Sequence, residues 1–292
     1  MSRLMCRLAG SSPARACALI DAMEELGEPE RGGRSEERLV PLVVVPCYNE
    51  EQRLDIERFG ALAESERIRL LFVNDGSTDD TGRVLTTLVT SSNGVEVLEL
   101  PRNVGKAEAV RLGLVRAVES GAPIVGYYDA DLATPPHELL RLLDILEAKP
   151  DLSVVTAARV ALLGRDIVRR ATRHYLGRFF ATGAALVLRQ RVYDTQCGAK
   201  LFRVTPSFVA ATAKPFRSSW IFDVELIGRL LRGSDSAEPV PASAFEEIPL
   251  REWHHVPGSK LGVREMVRAL VDLLVLELQL NRRPRKRRRG SP

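Results

Sequence analysis

From residue 39 onward the hydrophobic positions fall into short runs separated by longer stretches of helical period. An apolar, β-branched run over 39–45 is followed by a helical stretch near 50–63, and a second apolar run covers 70–73. The pattern then predicts a helix over about 79–88, a strand over 95–100, a helix over 106–119, a strand over 124–128, a helix over about 136–148 and a strand over 153–157. Strands alternating with helices join by right-handed crossovers into a parallel sheet. The strands are nearly continuous apolar runs, as burial on both faces demands. The expected class is α/β, a Rossmann-like, mostly parallel sheet with helices on both faces.

Beyond 157 the alternation ends. A basic stretch of helical period (166–188), a Cys-Gly segment, an aromatic segment (220–225) and an amphipathic stretch (261–281) follow. With no linker and no internal repeat, residues 39–260 read as one domain whose second half builds over the sheet edge. Residues 1–38 read as a flexible extension with one helix over 14–26, residues 261–281 as an amphipathic helix, and 282–292 as a polybasic tail.

Composition narrows the class. The 292 residues are 45% hydrophobic and 27% charged, which suits a soluble globular chain with a large core. Cys6, Cys17, Cys47 and Cys197 form no CxxC pair and no zinc spacing, so a disulfide framework and a structural zinc are excluded and a reducing compartment is expected. The net charge is +4, but the segment RRPRKRRR at 282–289 holds seven basic residues and no acid, which leaves −3 for the remainder. No uncharged apolar run reaches the roughly 18 residues of a membrane span. The apolar stretch 16–20 stops at Asp21, short of the roughly 7 to 15 residues of a signal-peptide core. A cytoplasmic protein is the expectation. The tail could contact nucleic acid, but no interleaved aromatics or base-reading motif accompany it, so nucleic acid is not expected as a partner.

In doubly wound sheets ligands bind beyond the carboxyl ends of the strands. The second predicted strand runs into Asn74-Asp75-Gly76-Ser77-Thr78-Asp79, which suits an Asx turn and helix cap as well as a ligand site. The fourth runs into Asp129-Ala130-Asp131. Alternate residues of an extended segment face the same way, so these carboxylates converge and call for a hard cation such as Mg²⁺ or Mn²⁺. The alternative is that one caps the helix near Pro136 and the other is solvated. Asn103-Val-Gly-Lys106 opens a helix without being a P-loop, since Leu100 and Ala107 stand where that motif needs Gly and Ser/Thr. Arg159, Arg165, Arg169, Arg170, Arg173 and Arg178 share one acid, Asp166, which in a helix lies one turn before Arg169 and Arg170. They form either an anion site or a solvated basic face. His137, His174, His254 and His255 assemble no recognisable triad or metal site, and Trp220 and Phe222 read as core or cleft lining.

Together these segments resemble the family 2 glycosyltransferases with the GT-A fold, and within them the polyprenyl-phosphate sugar transferases. The matching segments are Val45-Pro-Cys-Tyr-Asn-Glu50, Val73-Asn-Asp-Gly-Ser-Thr-Asp79, Asn103-Val-Gly-Lys106 with Ala109-Val-Arg-Leu-Gly113, and Asp129-Ala-Asp131. A second set is Asp194-Thr-Gln-Cys-Gly-Ala-Lys-Leu-Phe-Arg203, Trp220-Ile-Phe-Asp-Val-Glu225 and Trp253-His-His-Val-Pro-Gly-Ser-Lys260, which looks like the dolichyl-phosphate glucosyltransferases more than the mannose synthases. The resemblance implies a nucleotide-sugar donor, UDP-glucose first and GDP-mannose next. It implies nucleoside contacts at Pro46, Tyr48, Glu50 and Asp75, metal and diphosphate at Asp129 and Asp131, and donor phosphates at Lys106 and Arg203. Ala133 stands where the mannose synthases place a metal-holding Gln, and Ala107-Glu108 replaces the usual small residues after the lysine. The related enzymes usually carry transmembrane helices at one end.

The implied reaction is inverting transfer of a hexose, glucose by preference, to a polyprenyl phosphate held by Arg159, Arg169 and Arg170. A polysaccharide or small-molecule acceptor is the alternative. The helix at 261–281 and the basic tail offer a peripheral contact with an anionic membrane surface, or else the helix packs on the sheet.

Overall fold

The computed structural model describes residues 40–167, 171–254, 256 and 263–282. The expected extension over 1–38, with its helix at 14–26, therefore lies outside the described residues, as does the tail from 283. Strands β1 (Leu42–Cys47), β2 (Arg69–Asn74), β3 (Val95–Glu99), β4 (Ile124–Tyr128) and β5 (Val154–Ala158) arise from the apolar runs. Between them lie helices α1 (Ile56–Glu64), α2 (Thr81–Ser91), α3 (Lys106–Glu119) and α4 (Pro136–Ala148). The chain continues through β6 (Asp166–Ile167), α5 (Ala171–Leu188), β7 (Ala199–Arg203), α6 (Pro206–Thr212), α7 (Phe222–Arg232), β8 (Phe245–Pro249), β9 (Glu252–Trp253) and α8 (Val263–Arg282).

Seven strands form one sheet in the order β3-β2-β1-β4-β7-β5-β8, and β6 pairs with β9 apart from it. Within the seven, β7 runs antiparallel to both β4 and β5 while the other pairings are parallel. Alternation along β1 serves two cores. Val43 and Val45 meet the leucines of α4 (Leu139, Leu142, Leu143, Leu146) and Phe59 of α1, whereas Leu42 and Val44 meet Val110 and Leu114 of α3 and Phe222 and Leu226 of α7. The i, i+3, i+4, i+7 spacing of those α4 leucines is the stripe a helix needs to cover a sheet. A third cluster joins α5, α7 and α8 through Leu188, Val224, Ile227, Leu273 and Leu276.

Two expectations are corrected. Asp166 belongs to a strand paired with Glu252, so it is not one helical turn before Arg169 and Arg170. That pairing joins residues far apart in sequence, which local period does not show. Arg203 does not reach the carboxyl edge of the sheet. Because β7 is antiparallel, Arg203 lies opposite Ile124 at the start of β4, four residues and roughly 13 Å from the level of Tyr128. Its guanidinium donates instead to the carbonyls of Leu152 (2.8 Å) and Leu146 (2.5 Å), tying down the end of α4. We expect Arg203→Ala to cost about 1–3 kcal/mol in urea unfolding, through carbonyls left without a donor. Nucleotide-sugar affinity should be unchanged; a fall in that affinity with stability intact would return Arg203 to the donor site.

Candidate active site

After β3 the chain crosses back over β1 to form β4 on the other side of it, so the sheet reverses its order between β1 and β4. A crevice therefore opens beyond the carboxyl ends of these two strands. Pro46, Tyr48 and Glu50 sit at the end of β1, Asp75 follows β2, Lys106 begins α3, and Asp129 and Asp131 follow β4. The structure thus brings six of the expected donor residues and Asp131 to one edge.

The loops there are laced together. Asn49 takes a left-handed backbone (φ 55°). Its side-chain oxygen accepts from the Thr78 amide (2.9 Å), and the Glu50 amide donates to the Thr81 hydroxyl (2.8 Å). Asp75 is buried, and its two oxygens accept from the amides of Val104 (2.7 Å) and Gly105 (2.9 Å). It therefore fixes the loop that delivers Lys106. Burial holds its carboxyl above the usual range, against the pull of the two amides. Gly76 is required for that closeness: at φ +63° a Cβ there would lie 2.4 Å from the backbone of Arg102.

Asp129 and Asp131 are held by different devices. The Asp131 carboxylate accepts from the Ala133 amide (3.1 Å) across a turn in which the non-glycine Leu132 adopts φ 52°. Such backbone strain is tolerated where surrounding structure imposes it, commonly at functional sites. No side chain caps α4, so neither aspartate serves as its cap. Asp129 accepts from Lys106 Nζ at 2.5 Å, and its amide donates to the Gly198 carbonyl at 2.9 Å. A Cβ at residue 198 would fall 1.9 Å from Asp129 Oδ2, so the acid occupies space that only glycine leaves open.

The charges are crowded. Burial and the neighbouring Asp129 hold the Asp131 carboxyl above its ordinary range. Burial also raises Glu50, with Asp131 and Asp129 adding to the effect and Arg53 opposing it. Glu50 Oε1 accepts from Arg53 at 2.6 Å, while its buried Oε2 has no hydrogen-bond partner. Among the described residues no three His, Cys, Asp or Glu side chains come together as a complete metal cage. This donor set fits an ion of the Mg²⁺ or Mn²⁺ kind, which takes one or two carboxylates and completes its shell with water and phosphate oxygens. The unpartnered Glu50 oxygen and the raised Asp131 are what a carboxylate site short of positive charge should display.

Beneath this edge the second half of the chain forms a polar floor that the sequence reading missed. Lys200, 1% exposed, donates to Asp223 Oδ1 (2.8 Å) and to the Cys197 carbonyl (2.5 Å), and Asp223 also accepts from the Tyr127 hydroxyl. Burial pushes Asp223 up and Lys200 down, each toward neutrality; Lys106 opposes the first shift, and Cys197, Asp194 and Asp129 oppose the second. A lysine in the apolar run Ala199-Lys-Leu-Phe was the available signal, since such a residue buries only with an acid beside it.

Arg159 is not free for an anion. Its fork grips Asp194 (2.6 and 2.8 Å), it stacks over Trp253 at 5.4 Å, and the two contacts brace the segment leading to Gly198. Arg169 and Arg170 lie outside the described residues, as do His255 and the side chains of Arg173, His174 and Arg178. His254 joins the site indirectly: its amide donates to the Ala133 carbonyl (2.9 Å) and its ring meets Glu252 (2.6 Å). Phe222 is core, and Trp220 is partly exposed.

A family model described as glycosyl transferase family 2 matches residues 42–207. The dolichyl-phosphate beta-glucosyltransferase of Dictyostelium discoideum is 33% identical over 239 residues, covering 75% of this chain and 68% of that protein. The human enzyme of the same name is 30% identical, with coverages of 75% and 68%. Among solved structures, glucosyl-3-phosphoglycerate synthase from Mycobacterium tuberculosis, in complex with Mn²⁺, uridine diphosphate and glucosyl-3-phosphoglycerate, matches with a TM-score of 0.60 at 20% identity and 88% coverage of both chains. Mannosyl-3-phosphoglycerate synthase from Rubrobacter xylanophilus matches at 0.52, 19% identity and coverages of 94% and 82%. At these identities the structural likeness establishes the GT-A fold.

Gly198→Ala should displace the Asp129 carboxylate and reduce turnover by about two orders of magnitude or more, as misplacement near 1 Å does. Its thermal midpoint should move little beside that loss. Turnover within twofold of the parent would show that Asp129 has other room.

Proposed function

The chain belongs to glycosyl transferase family 2, and from that premise we propose that it moves glucose from UDP-glucose to a dolichyl-type polyprenyl phosphate, with inversion at the anomeric carbon. The observation that carries the reading is the convergence of Glu50, Lys106, Asp129 and Asp131 at the switch point, with Asp129 seated on Gly198. The sugar and the acceptor are supported by relatives named for transfer of glucose to dolichyl phosphate, aligned over 75% of the chain. A divalent ion is supported by the carboxylate donor set, and UDP and Mn²⁺ by the contents of the Mycobacterium structure.

Asp129 and Asp131 would hold the Mg²⁺ or Mn²⁺ ion, whose charge, when bound, offsets that growing on the departing nucleoside diphosphate. Pro46, Tyr48 and Glu50 line the end of β1, where the nucleoside lies in this reading, and Asp75 acts on it through the loop it clamps. Lys106, now paired with Asp129, is placed to pass to a donor phosphate. A phosphate monoester has its second pKa at about 6, so the acceptor is ionised at neutral pH and no strong general base is needed. Attack on an α-linked donor then gives a β-linked product. Arg159 acts as a positioning residue for the Asp194–Gly198 segment, and binding of the acceptor phosphate is assigned to Arg169 and Arg170. Beyond Arg159, Leu162 and Leu163 stand exposed in the loop after β5, where an isoprenoid chain could lie against them.

The direct test supplies labelled UDP-glucose, polyprenyl phosphate and Mn²⁺, and counts the organic extract. Label should enter the lipid phase with the parent chain and fall to background with Asp131→Ala or excess chelator. Label that remains aqueous, or enters the lipid only from GDP-mannose, would overturn the assigned substrates.

A further inference from the structure

Helix α8 carries two opposite apolar faces. Ala269, Leu273, Leu276 and Leu280 are buried against α5 and α7. Val271, Leu274 and Leu278 follow the same period half a turn away and stand 53%, 69% and 57% exposed. The inward face rules out a helix lying free on a surface, but among the described residues nothing covers the outward face, which stands as an apolar stripe. Among the described residues no helix is long and apolar enough to cross a membrane.

The two acids in this part of the helix would repel an anionic partner if they faced outward. They do not. Asp272 accepts from the Ser218 hydroxyl at 2.5 Å on one flank, and Glu277 pairs with Arg189 at 3.6 Å on the other. At a rise of 100° per residue, both point away from the line through Val271, Leu274 and Leu278. Arg189 also lines a surface depression of about 550 Å³ together with Leu186 and Arg191, and Leu186 is itself 72% exposed. Apolar surface and basic groups therefore share the neighbourhood of the α5–α8 seam. Directly after the stripe come the seven basic residues of 282–289, with no acid among them.

We propose that the outward face of α8 is a docking surface for an anionic lipid bilayer, with Val271, Leu274 and Leu278 entering the interface while 282–289 meets the headgroups. Weak apolar insertion joined to a polybasic segment is a two-signal arrangement in which neither part suffices alone. Charge complementarity favours the bilayer over a second copy of the chain, because an anionic surface meets the stripe and the seven basic residues of 282–289 together, whereas the same stripe on a second copy, Val271, Leu274 and Leu278, carries no acid. The inference goes beyond the transfer reaction and does not depend on it, since the test uses vesicles with neither polyprenyl phosphate nor nucleotide sugar.

The test is co-sedimentation of the full chain with phosphatidylcholine vesicles that contain or lack phosphatidylglycerol. The parent should pellet with the anionic vesicles, remain soluble with the neutral ones, and be released by 0.5 M salt. Leu274→Ser with Leu278→Ser should weaken the partition about tenfold or more, and so should replacement of the seven basic residues of 282–289 by Gln. Circular dichroism and the thermal midpoint should match the parent in both variants, since the stripe residues are exposed and the tail variant leaves the buried face of α8 intact. Equal pelleting of the Ser variant and the parent would overturn the proposal. So would binding to neutral vesicles as strong as to anionic ones, or a parent dimer in sedimentation velocity that the Ser variant splits.

Discussion

Three acids of like charge, Glu50, Asp129 and Asp131, come to the crevice where the sheet reverses its strand order, near enough for each of the two aspartates to raise Glu50, and the loops around them answer that repulsion. The sheet creates the problem, because the neighbouring parallel strands β1 and β4 on either side of the switch point deliver their carboxyl ends to one crevice. Local partners answer only part of it: Arg53 holds one oxygen of Glu50 and Lys106 holds one of Asp129. The remaining deficit of positive charge is what a divalent ion can fill, and burial together with the neighbouring acids raises both Asp131 and Glu50.

Space matters as much as charge. The carboxylate of Asp129 lies where any side chain at residue 198 would stand, and the segment in which Gly198 leads into the antiparallel β7 is braced by Lys200–Asp223 on one side of it in sequence and by Arg159–Asp194 on the other. Breaking one partner of either buried pair leaves an uncompensated charge, so these pairs make position costly to change. The second half of the chain thus acts as a frame for the acids of the first half, with Arg159, Asp194, Lys200 and Asp223 engaged in that work.

What was legible in the sequence was what local period controls. The helix Lys106–Glu119, the strand Ile124–Tyr128 and the helix Pro136–Ala148 fall on the predicted residues, because each carries its own apolar pattern and its own start. The first helix begins at Ile56 rather than near 50, since Asp55 caps it by accepting from the Arg58 amide while 50–53 forms a turn. Non-local pairing was not legible. The reversed direction of β7 carried Arg203 away from the site, the pairing of Asp166 with Glu252 removed it from a helix, and Asp194 took Arg159 from the role of anion binder. Gly198 showed nothing in the sequence beyond its place in a motif; its meaning lies in the 1.9 Å that separate a missing Cβ from a carboxylate.

The claim on which the account turns is that Asp129 and Asp131 bind a divalent ion and the donor diphosphate as one unit. The most direct measurement is titration of Mn²⁺ into the full chain, with and without UDP, following the free ion by electron paramagnetic resonance. The account predicts weak binding alone, strengthened about tenfold or more by UDP, and loss of both in Asp131→Asn. Mn²⁺ affinity unchanged by UDP, or retained in Asp131→Asn, would contradict it.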